Sequence, residues 1–181
     1  MTRVLVSAAS RHGSTAEIAE AIAKSLHESG IDADSIPPEQ VAVTSDYDAF
    51  VIGSAVYTGH WLEEAVDFCK RLGPDLAGRS VWLFSSGPVG PPDGKFTRQM
   101  WTDPVDLDEV RRATGSDRHR MLAGKLVRGE LSRPQRAALF LFKRLEGDYR
   151  NWRAVSSFAE EVAAELGASQ SDPSAKQEVG G

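Results

Sequence analysis

The sequence predicts a three-layer α/β domain, with a parallel five-stranded sheet between two layers of helices. Short runs of apolar residues alternate with longer segments of helical periodicity, and several of these runs end in glycine or serine. This alternation implies right-handed crossovers onto a parallel sheet. The chain has 181 residues, which suits one domain with a sizeable insertion better than two ordinary domains.

The first two elements are a buried strand and an amphipathic helix. Residues 4–6 form an apolar run that breaks into small residues at 7–10. From Ser14 onward, apolar residues recur at helical spacing until Gly30, where the helix can stop. The next strands are a weak one at 31–36 and a strong one at 49–52.

The strong third strand is predicted to end in Gly53, and a helix begins near Trp61. One face of that helix is apolar, through Leu62, Ala65, Val66 and Cys69. A fourth strand follows at 81–84 and a fifth at 121–127. A closing amphipathic helix starts at Trp152 and stops at Gly167.

Two connections exceed what a five-stranded domain needs, and they are predicted to be insertions at 87–118 and 128–151. Long connections in compact domains are often functional. The domain therefore spans 1–167. Residues 168–181 are small and polar, which predicts a disordered tail.

Composition excludes several functional classes. The 21 basic and 26 acidic residues leave a net charge of −5, which argues against a nucleic-acid partner. The single cysteine, Cys69, cannot form an internal disulfide, and no Cys/His cluster predicts a metal site. Redox chemistry would need a cofactor. We see no signal peptide and no apolar run that could cross a bilayer, so a cytoplasmic location is expected.

The loop after the first strand resembles a phosphate cradle. It leads straight into a helix and consists of Ser10, Arg11, His12, Gly13, Ser14 and Thr15. Backbone N–H groups at a helix N-terminus lack intrahelical partners, hydroxyls can donate to phosphate oxygens, and a glycine permits close approach. The alternative is that Ser14 or Thr15 only caps the helix.

Two more loops should converge on the same site, because ligands of open parallel sheets bind at the carboxyl ends of the strands. The loop after the third strand contains Ser54, Ala55, Val56, Tyr57, Thr58, Gly59, His60 and Trp61. The loop after the fourth contains Ser85, Ser86, Gly87, Pro88, Val89 and Gly90. We call these segments, 54–61 and 85–90, the ring loops, because their small residues suit a flat ring.

Two aromatic residues could stack on such a ring, Tyr57 and Trp61. The alternatives are that Trp61 is a core residue at a helix start and that Tyr57 is an exposed loop aromatic. His60 could cap the helix, contact the ring or be solvated. The sequence identifies no catalytic residue.

The segment S-R-H-G-S-T resembles the flavodoxin phosphate loop, T/S-x-T-G-x-T, with Ser10, Gly13 and Thr15 in matching places. His12 stands where that family usually has a hydroxyl. The likeness extends from Arg3 to about Leu166. It implies a bound FMN, with its phosphate on 10–15 and its ring between the ring loops, and strand order 2-1-3-4-5.

Within flavodoxin-like proteins, the chain resembles the menaquinone-dependent protoporphyrinogen IX dehydrogenase group. The shared features are V-I-G-S-A-V-Y-T-G-H-W, the G-K-L that ends the fifth strand, and the insertion running to G-D-Y-R-N-W. Tyr57 stands where an arginine is often expected. The resemblance implies an oxidoreductase of heme biosynthesis that takes electrons from a porphyrinogen-like substrate and passes them to a quinone. The alternatives are an electron-transfer shuttle and a flavin-free module of the same fold.

Neither ring loop contains an acidic residue. Since nearby carboxylates disfavour negative charge on a reduced flavin, their absence predicts a less negative potential than that of an acidic shuttle. Such a potential suits a quinone acceptor. Four basic residues could pair with substrate carboxylates or be ordinary surface charges: Lys95, Arg98, Arg111 and Arg112.

The segment 132–145 combines a run of apolar residues with flanking basic ones. This pattern is compatible with a helix on the surface of an anionic membrane, at its inner face, where a quinone would be within reach. The alternative is a helix that covers the domain or forms a homodimer interface.

Overall fold

Five parallel strands and one short antiparallel strand form the central sheet of the computed structural model, which describes residues 2–87, 89, 97–126 and 147–171. In chain order the strands are β1 (Arg3–Ala9), β2 (Asp32–Ser35), β3 (Ala49–Tyr57), β4 (His60–Trp61), β5 (Ser80–Ser86) and β6 (His119–Leu122). The parallel strands lie in the order β2-β1-β3-β5-β6, and β4 pairs with β3. This order confirms the predicted doubly wound sheet, with β4 as an additional strand.

Four helices cover the sheet: α1 (Ser14–Glu28), α2 (Glu63–Leu76), α3 (Leu107–Thr114) and α4 (Trp152–Ser171). Successive side chains of a strand point to opposite faces, and β1 divides its residues accordingly. Val4 and Val6 pack with α1 and α4, whereas Leu5 packs with α2 and α3. The three predicted layers are therefore present. Of the helices among the described residues, none is long and apolar enough to cross a bilayer.

Two predicted strand ends are wrong. β3 continues beyond Gly53 to Tyr57, and β5 continues through Ser86. Ser54 pairs in register with Ala9 and Ser85, so small residues that look like a loop in the sequence extend the ladder. The small side chains suit these strand ends because helices cover both faces of the sheet, and small side chains allow close packing there.

The end of β3 turns into β4 as a hairpin, and α2 begins at Glu63 rather than near Trp61. Tyr57 pairs with His60, and Thr58 and Gly59 form the two-residue turn with φ values of 52° and 84°. Such turns match the twist of the flanking strands and need positive φ at both central residues. Thr58 adopts this conformation although it is β-branched.

The predicted fifth strand at 121–127 is also divided. β6 ends at Leu122, and Lys125–Leu126 (β7) leaves the sheet to pair with Gly147–Asp148 (β8) as an antiparallel ribbon. Between the two pieces, Gly124 packs closely on Gly87, where a Cβ would lie 3.1 Å from the Cα of Gly87. The membrane or interface segment 132–145, and the site residues Pro88 and Gly90, lie outside the described residues.

The connection 87–118 is the crossover from β5 to β6, and its described residues include a 3₁₀ helix (Arg98–Trp101) and α3. The closing helix passes Gly167, where it was predicted to stop, and ends at Ser171. A Cβ at Gly167 would meet nothing within 4 Å, so this position in the helix has room for an alanine. The remainder of the predicted tail, 172–181, lies outside the described residues.

Gly53 provides a test of the packing of the sheet. A Cβ at this position would overlap the ring of Phe84, which is fully buried and packs edge-on against Phe158. We expect Gly53→Ala to lower the free energy of unfolding by about 1–3 kcal/mol through overpacking. Gly167→Ala, in open space on α4, should raise it by up to about 1 kcal/mol. Urea denaturation measures both, and equal effects of the two substitutions would contradict this packing.

Candidate functional site

The loop between β1 and α1 is held by a glycine turn and by a side-chain hydrogen bond. Gly13 has a φ of 81° and occupies the N-cap position, so the N-cap residue itself makes no side-chain cap bond to α1. The Oγ of Ser10 accepts a hydrogen bond from the N–H of Thr15 at 3.2 Å. The alternative in which Ser14 or Thr15 caps the helix is therefore not what the structure shows.

Two polar atoms of this loop are buried without a hydrogen-bond partner among the residues that the structure describes: the Oγ of Ser14 and the Nε2 of His12. A buried polar atom without a partner costs free energy, so such atoms point to a missing ligand. A hydroxyl and an imidazole N–H can both donate to an anion. The N-terminus of α1 favours negative charge at the same place.

Tyr57 brings the end of β3 to this loop. The guanidinium carbon of Arg11 lies 5.2 Å from the centre of the Tyr57 ring. The rings of His12 and Tyr57 are 6.3 Å apart, at an angle of 65°. The structure thus joins the loop 10–15 to the first ring loop through an aromatic residue, at the switch point between β1 and β3.

Trp61 lies in the core instead. Its side chain is 4% exposed, and its indole Nε1–H donates to the Oγ of Ser85 at 2.7 Å. This burial favours the core alternative for Trp61 and leaves Tyr57 as the aromatic face of the site. The N–H of Leu62 donates to the buried Oγ of Ser54 at 2.9 Å.

Besides Trp61, four predicted site residues are buried strand residues rather than loop residues: Ser54, Ala55, Ser85 and Ser86. In the second ring loop, Gly87 lies against the end of β3, where a Cβ would be 2.9 Å from the Cβ of Val56. Val89 is buried. The start of this loop accordingly packs on the first ring loop.

His119 extends the buried network from Ser85 towards the surface. Its Nε2 lies 2.8 Å from the Oγ of Ser85, and its Nδ1 lies 3.4 Å from Asp103. Since Ser85 accepts from Trp61, its own O–H can donate to Nε2 of the neutral imidazole. Burial is the main cause that lowers the pKa of His119, the charge of Arg111 lowers it further, and Asp103 opposes both.

Asp106 brings an acidic group to the first ring loop, which contains none of its own. Its carboxylate accepts the backbone N–H of Trp61 at 2.9 Å and lies 3.1 Å from the Nδ1 of His60. The N–H of Val105 donates to the carbonyl of Gly59 at 2.9 Å, beside this contact. The only signal in the sequence was the position of Asp106 in a connection predicted to be functional.

Arg111 binds Asp103 and Asp108, both at 3.3 Å, so it is already engaged and poorly suited to a substrate carboxylate.

The side chain of Arg150 is buried and pairs with Asp148 at 2.6 Å and with Glu17 at 2.5 Å. These ion pairs tie the β7–β8 ribbon to the first turn of α1. Sequence reasoning missed this clamp.

Burial raises the pKa of the Cys69 thiol to about 12, which makes the thiol unreactive. Among the described residues, no three side chains of the metal-binding types cluster.

The model of the flavodoxin domain family matches residues 5–151. No curated protein matches the sequence. A rubredoxin:oxygen oxidoreductase from Desulfovibrio gigas is similar in structure, with a TM-score of 0.61 at 14% identity over 95% of this chain. The chain spans 38% of the length of that protein.

Two flavodoxins are similar over nearly their whole length. One is from Streptococcus pneumoniae, with a TM-score of 0.54 and 21% identity over 91% of this chain and 99% of its own. The other is a short-chain flavodoxin associated with a bacterial microcompartment, with a TM-score of 0.56 and 20% identity over 88% of this chain and 95% of its own. At these identities the likeness shows the fold.

The buried His119 should make stability depend on pH. Its pKa in the folded protein is lowered from 6.5, so the unfolded chain takes up the proton first as the pH falls. We expect the free energy of unfolding to decline as the pH drops from about 7 to 5. His119→Gln should flatten this decline, and urea titrations across the range measure it.

Asp103→Asn should extend the same decline to lower pH, because Asp103 opposes the lowering of the His119 pKa. A decline of unchanged slope in His119→Gln would show that His119 is not its source.

Proposed function

Because the chain belongs to the flavodoxin domain family, we propose that it is an FMN-dependent oxidoreductase that passes electrons to a quinone. The observation that carries this proposal is the pair of buried polar atoms without partners, Ser14 Oγ and His12 Nε2, in the loop after β1. This loop lies at the switch point where a flavodoxin-like sheet holds FMN. The residues present fit the cofactor.

The phosphate would be held by the N-terminus of α1 and by hydrogen bonds from Ser14 and His12. Gly13, with its positive φ, keeps the approach to this end of the helix free of a side chain. The ring would lie beside Tyr57. When bound, FMN supplies the one- and two-electron chemistry, and the protein supplies orientation and electrostatics.

Charge around the site supports a quinone as the electron acceptor. Arg11 stacks on Tyr57, and the carboxylate of Asp106 is turned towards a backbone N–H and His60. The Asp106 carboxylate is thus engaged by hydrogen-bonding groups, and Arg11 adds a positive charge beside Tyr57. A site with little unbalanced negative charge favours a reduced, anionic flavin.

The substrate proposed is a porphyrinogen-like reduced compound, and the support for it is the resemblance of V-I-G-S-A-V-Y-T-G-H-W and the later motifs. Peripheral contact with a membrane through 132–145 would bring the site to a membrane quinone, and this part of the proposal rests on the sequence pattern alone. The alternatives differ in their behaviour. A shuttle would show a stable one-electron state with little turnover, and a flavin-free module would bind neither FMN nor riboflavin.

The phosphate loop can be tested by comparing FMN with riboflavin, which lacks the phosphate. We expect Ser14→Ala or His12→Ala to weaken FMN binding by about 10- to 100-fold, since each removes a hydrogen bond to a charged group. Riboflavin affinity should stay unchanged. Fluorescence titration of the flavin-free protein measures both affinities.

Ser157→Ala, on the exposed face of α4, is the matched control and should leave both affinities unchanged. Equal losses of FMN and riboflavin affinity in Ser14→Ala would contradict the assignment of the loop to phosphate. Failure of the parent protein to bind either compound would overturn the oxidoreductase proposal.

The charge on Arg11 should raise the midpoint potential of the bound flavin. We expect Arg11→Gln to make the two-electron potential more negative by on the order of 20 mV, because it removes a positive charge near a ring that gains negative charge. Lys24→Gln, which removes the same charge from an exposed position far along α1, is the control. Spectroelectrochemical titration measures the difference, and identical potentials in the two variants would contradict this role.

A further inference from the structure

We propose that His60 is a catalytic proton donor of this site and that Asp106 is its positioning residue. The reaction is the reduction of a quinone, so the inference rests on the proposed function. His60 was only one of three open possibilities in the sequence, and Asp106 was not identified there. Their contact is a product of the fold.

The His60–Asp106 pair is held in place on both sides. The Nδ1 of His60 lies 3.1 and 3.2 Å from the two carboxylate oxygens of Asp106. The backbone N–H of Trp61 donates to one of those oxygens at 2.9 Å. Trp61 in turn is fixed by its hydrogen bond to Ser85. The carboxylate is therefore oriented by the core and not by the imidazole alone.

The side chain of Asp106 does not cap the helix that follows it. It occupies the N-cap position of α3, where an aspartate normally accepts a hydrogen bond from an N–H of the first turn. Here its side chain makes no cap bond, and the carboxylate is turned to the β3–β4 hairpin. The Asp106 carboxylate is thus engaged by the hairpin and not by the helix that follows it.

His60 lies on the ligand side of the hairpin. Paired residues of two antiparallel strands point to the same face, and His60 pairs with Tyr57. The Tyr57 ring contacts Arg11 and His12 of the phosphate loop. The next pair, Val56 with Trp61, points to the other face, where Trp61 is buried. His60 is thus presented on the same side as the aromatic face of the site.

The free nitrogen of His60 is available for proton transfer. The side chain is 54% exposed, and its Nε2 makes no hydrogen bond with the residues that the structure describes. A carboxylate on Nδ1 fixes the tautomer and the ring orientation. Solvent can return the proton after each transfer.

Reduction of a quinone to a hydroquinone consumes two electrons and two protons. Bound, reduced FMN would supply both electrons and one of the protons, and the second oxygen of the quinone would need another proton. That proton comes from Nε2 of protonated His60: the N–H bond breaks, the O–H bond of the hydroquinone forms, and His60 is left neutral. Water then protonates it again, so charge and protons balance.

Two electron acceptors separate proton donation from electron transfer. Menadione needs protons for its reduction, whereas ferricyanide takes electrons without protons. In anaerobic stopped-flow mixing of the dithionite-reduced FMN protein, we expect His60→Asn to slow reoxidation by menadione about 100-fold. Reoxidation by ferricyanide should change less than about twofold. An asparagine amide can still donate to Asp106, so the hairpin keeps its anchor.

His27→Asn is the matched control. His27 is 56% exposed and also faces an aspartate, Asp32, at 3.8 Å. His27 lies in the last turn of α1, and Asp32 is the first residue of β2. The pair is therefore at the end of the sheet where the parallel strands begin, opposite to the candidate site. We expect this variant to react with both acceptors at the parent rate.

Two further measurements test the role of each partner. Free imidazole should restore menadione reduction in His60→Ala and leave the ferricyanide rate unchanged. In the flavin-free protein, nitrogen chemical shifts should place the proton of neutral His60 on Nδ1, and Asp106→Asn should move it to Nε2. Asparagine keeps an acceptor for Trp61, so the hairpin should persist.

Equal slowing with both acceptors in His60→Asn would overturn the proposal, since that result indicates a structural role. An unchanged menadione rate would do the same. If the parent protein bound FMN and reacted with ferricyanide but His60→Asn behaved like His27→Asn, only this inference would fail. A parent protein without flavin would overturn both proposals.

Discussion

The shared register of β1, β3 and β5 is the constraint on which the rest of the site depends. Ala9, Ser54 and Ser85 lie side by side in the ladder, so three strands approach the same edge of the sheet at one level. Three segments therefore start beside one another: the loop 10–15, the β3–β4 hairpin and the second ring loop. Because the strand order reverses direction between β1 and β3, their helices cover opposite faces and leave a crevice at that edge.

Polar atoms at this edge fall into two groups. The buried hydroxyls of Ser54 and Ser85 are engaged with Leu62, Trp61 and His119. They satisfy groups that a buried hairpin would otherwise leave unpaired, and they keep Trp61 in the core. Ser14 and His12 are different, since their buried atoms have no partner in the described part of the chain. The paired hydroxyls hold the hairpin against the core, whereas the unpaired atoms of Ser14 and His12 are the ones assigned to the phosphate in the proposed function.

The hairpin connects the two groups. Trp61 anchors it in the core, whereas Tyr57 and His60 face outward on the other side of the ribbon. The crossover from β5 to β6 secures it again through Val105 and Asp106. Held from both sides, the turn at Thr58 can keep a positive φ that a β-branched residue rarely adopts. A rigid hairpin of this kind can present a ring and an imidazole in fixed positions.

The sequence by itself determined the fold class, the strand order and the position of the loop 10–15 between the first strand and the first helix. Apolar periodicity is a local property, and the loop 10–15 is contiguous, so both can be predicted without knowing any distant contact. Only the tertiary structure decided where β3 and β5 end, since the ladder rather than composition keeps Ser54 and Ser85 extended. It also decided that Trp61 is buried and Tyr57 faces the loop. Asp106 and His60 are 46 positions apart, and His119 and Ser85 are 34 apart, so no local pattern pairs them. These contacts arise because parallel strands bring distant segments to one edge, where packing and hydrogen bonding choose the partners.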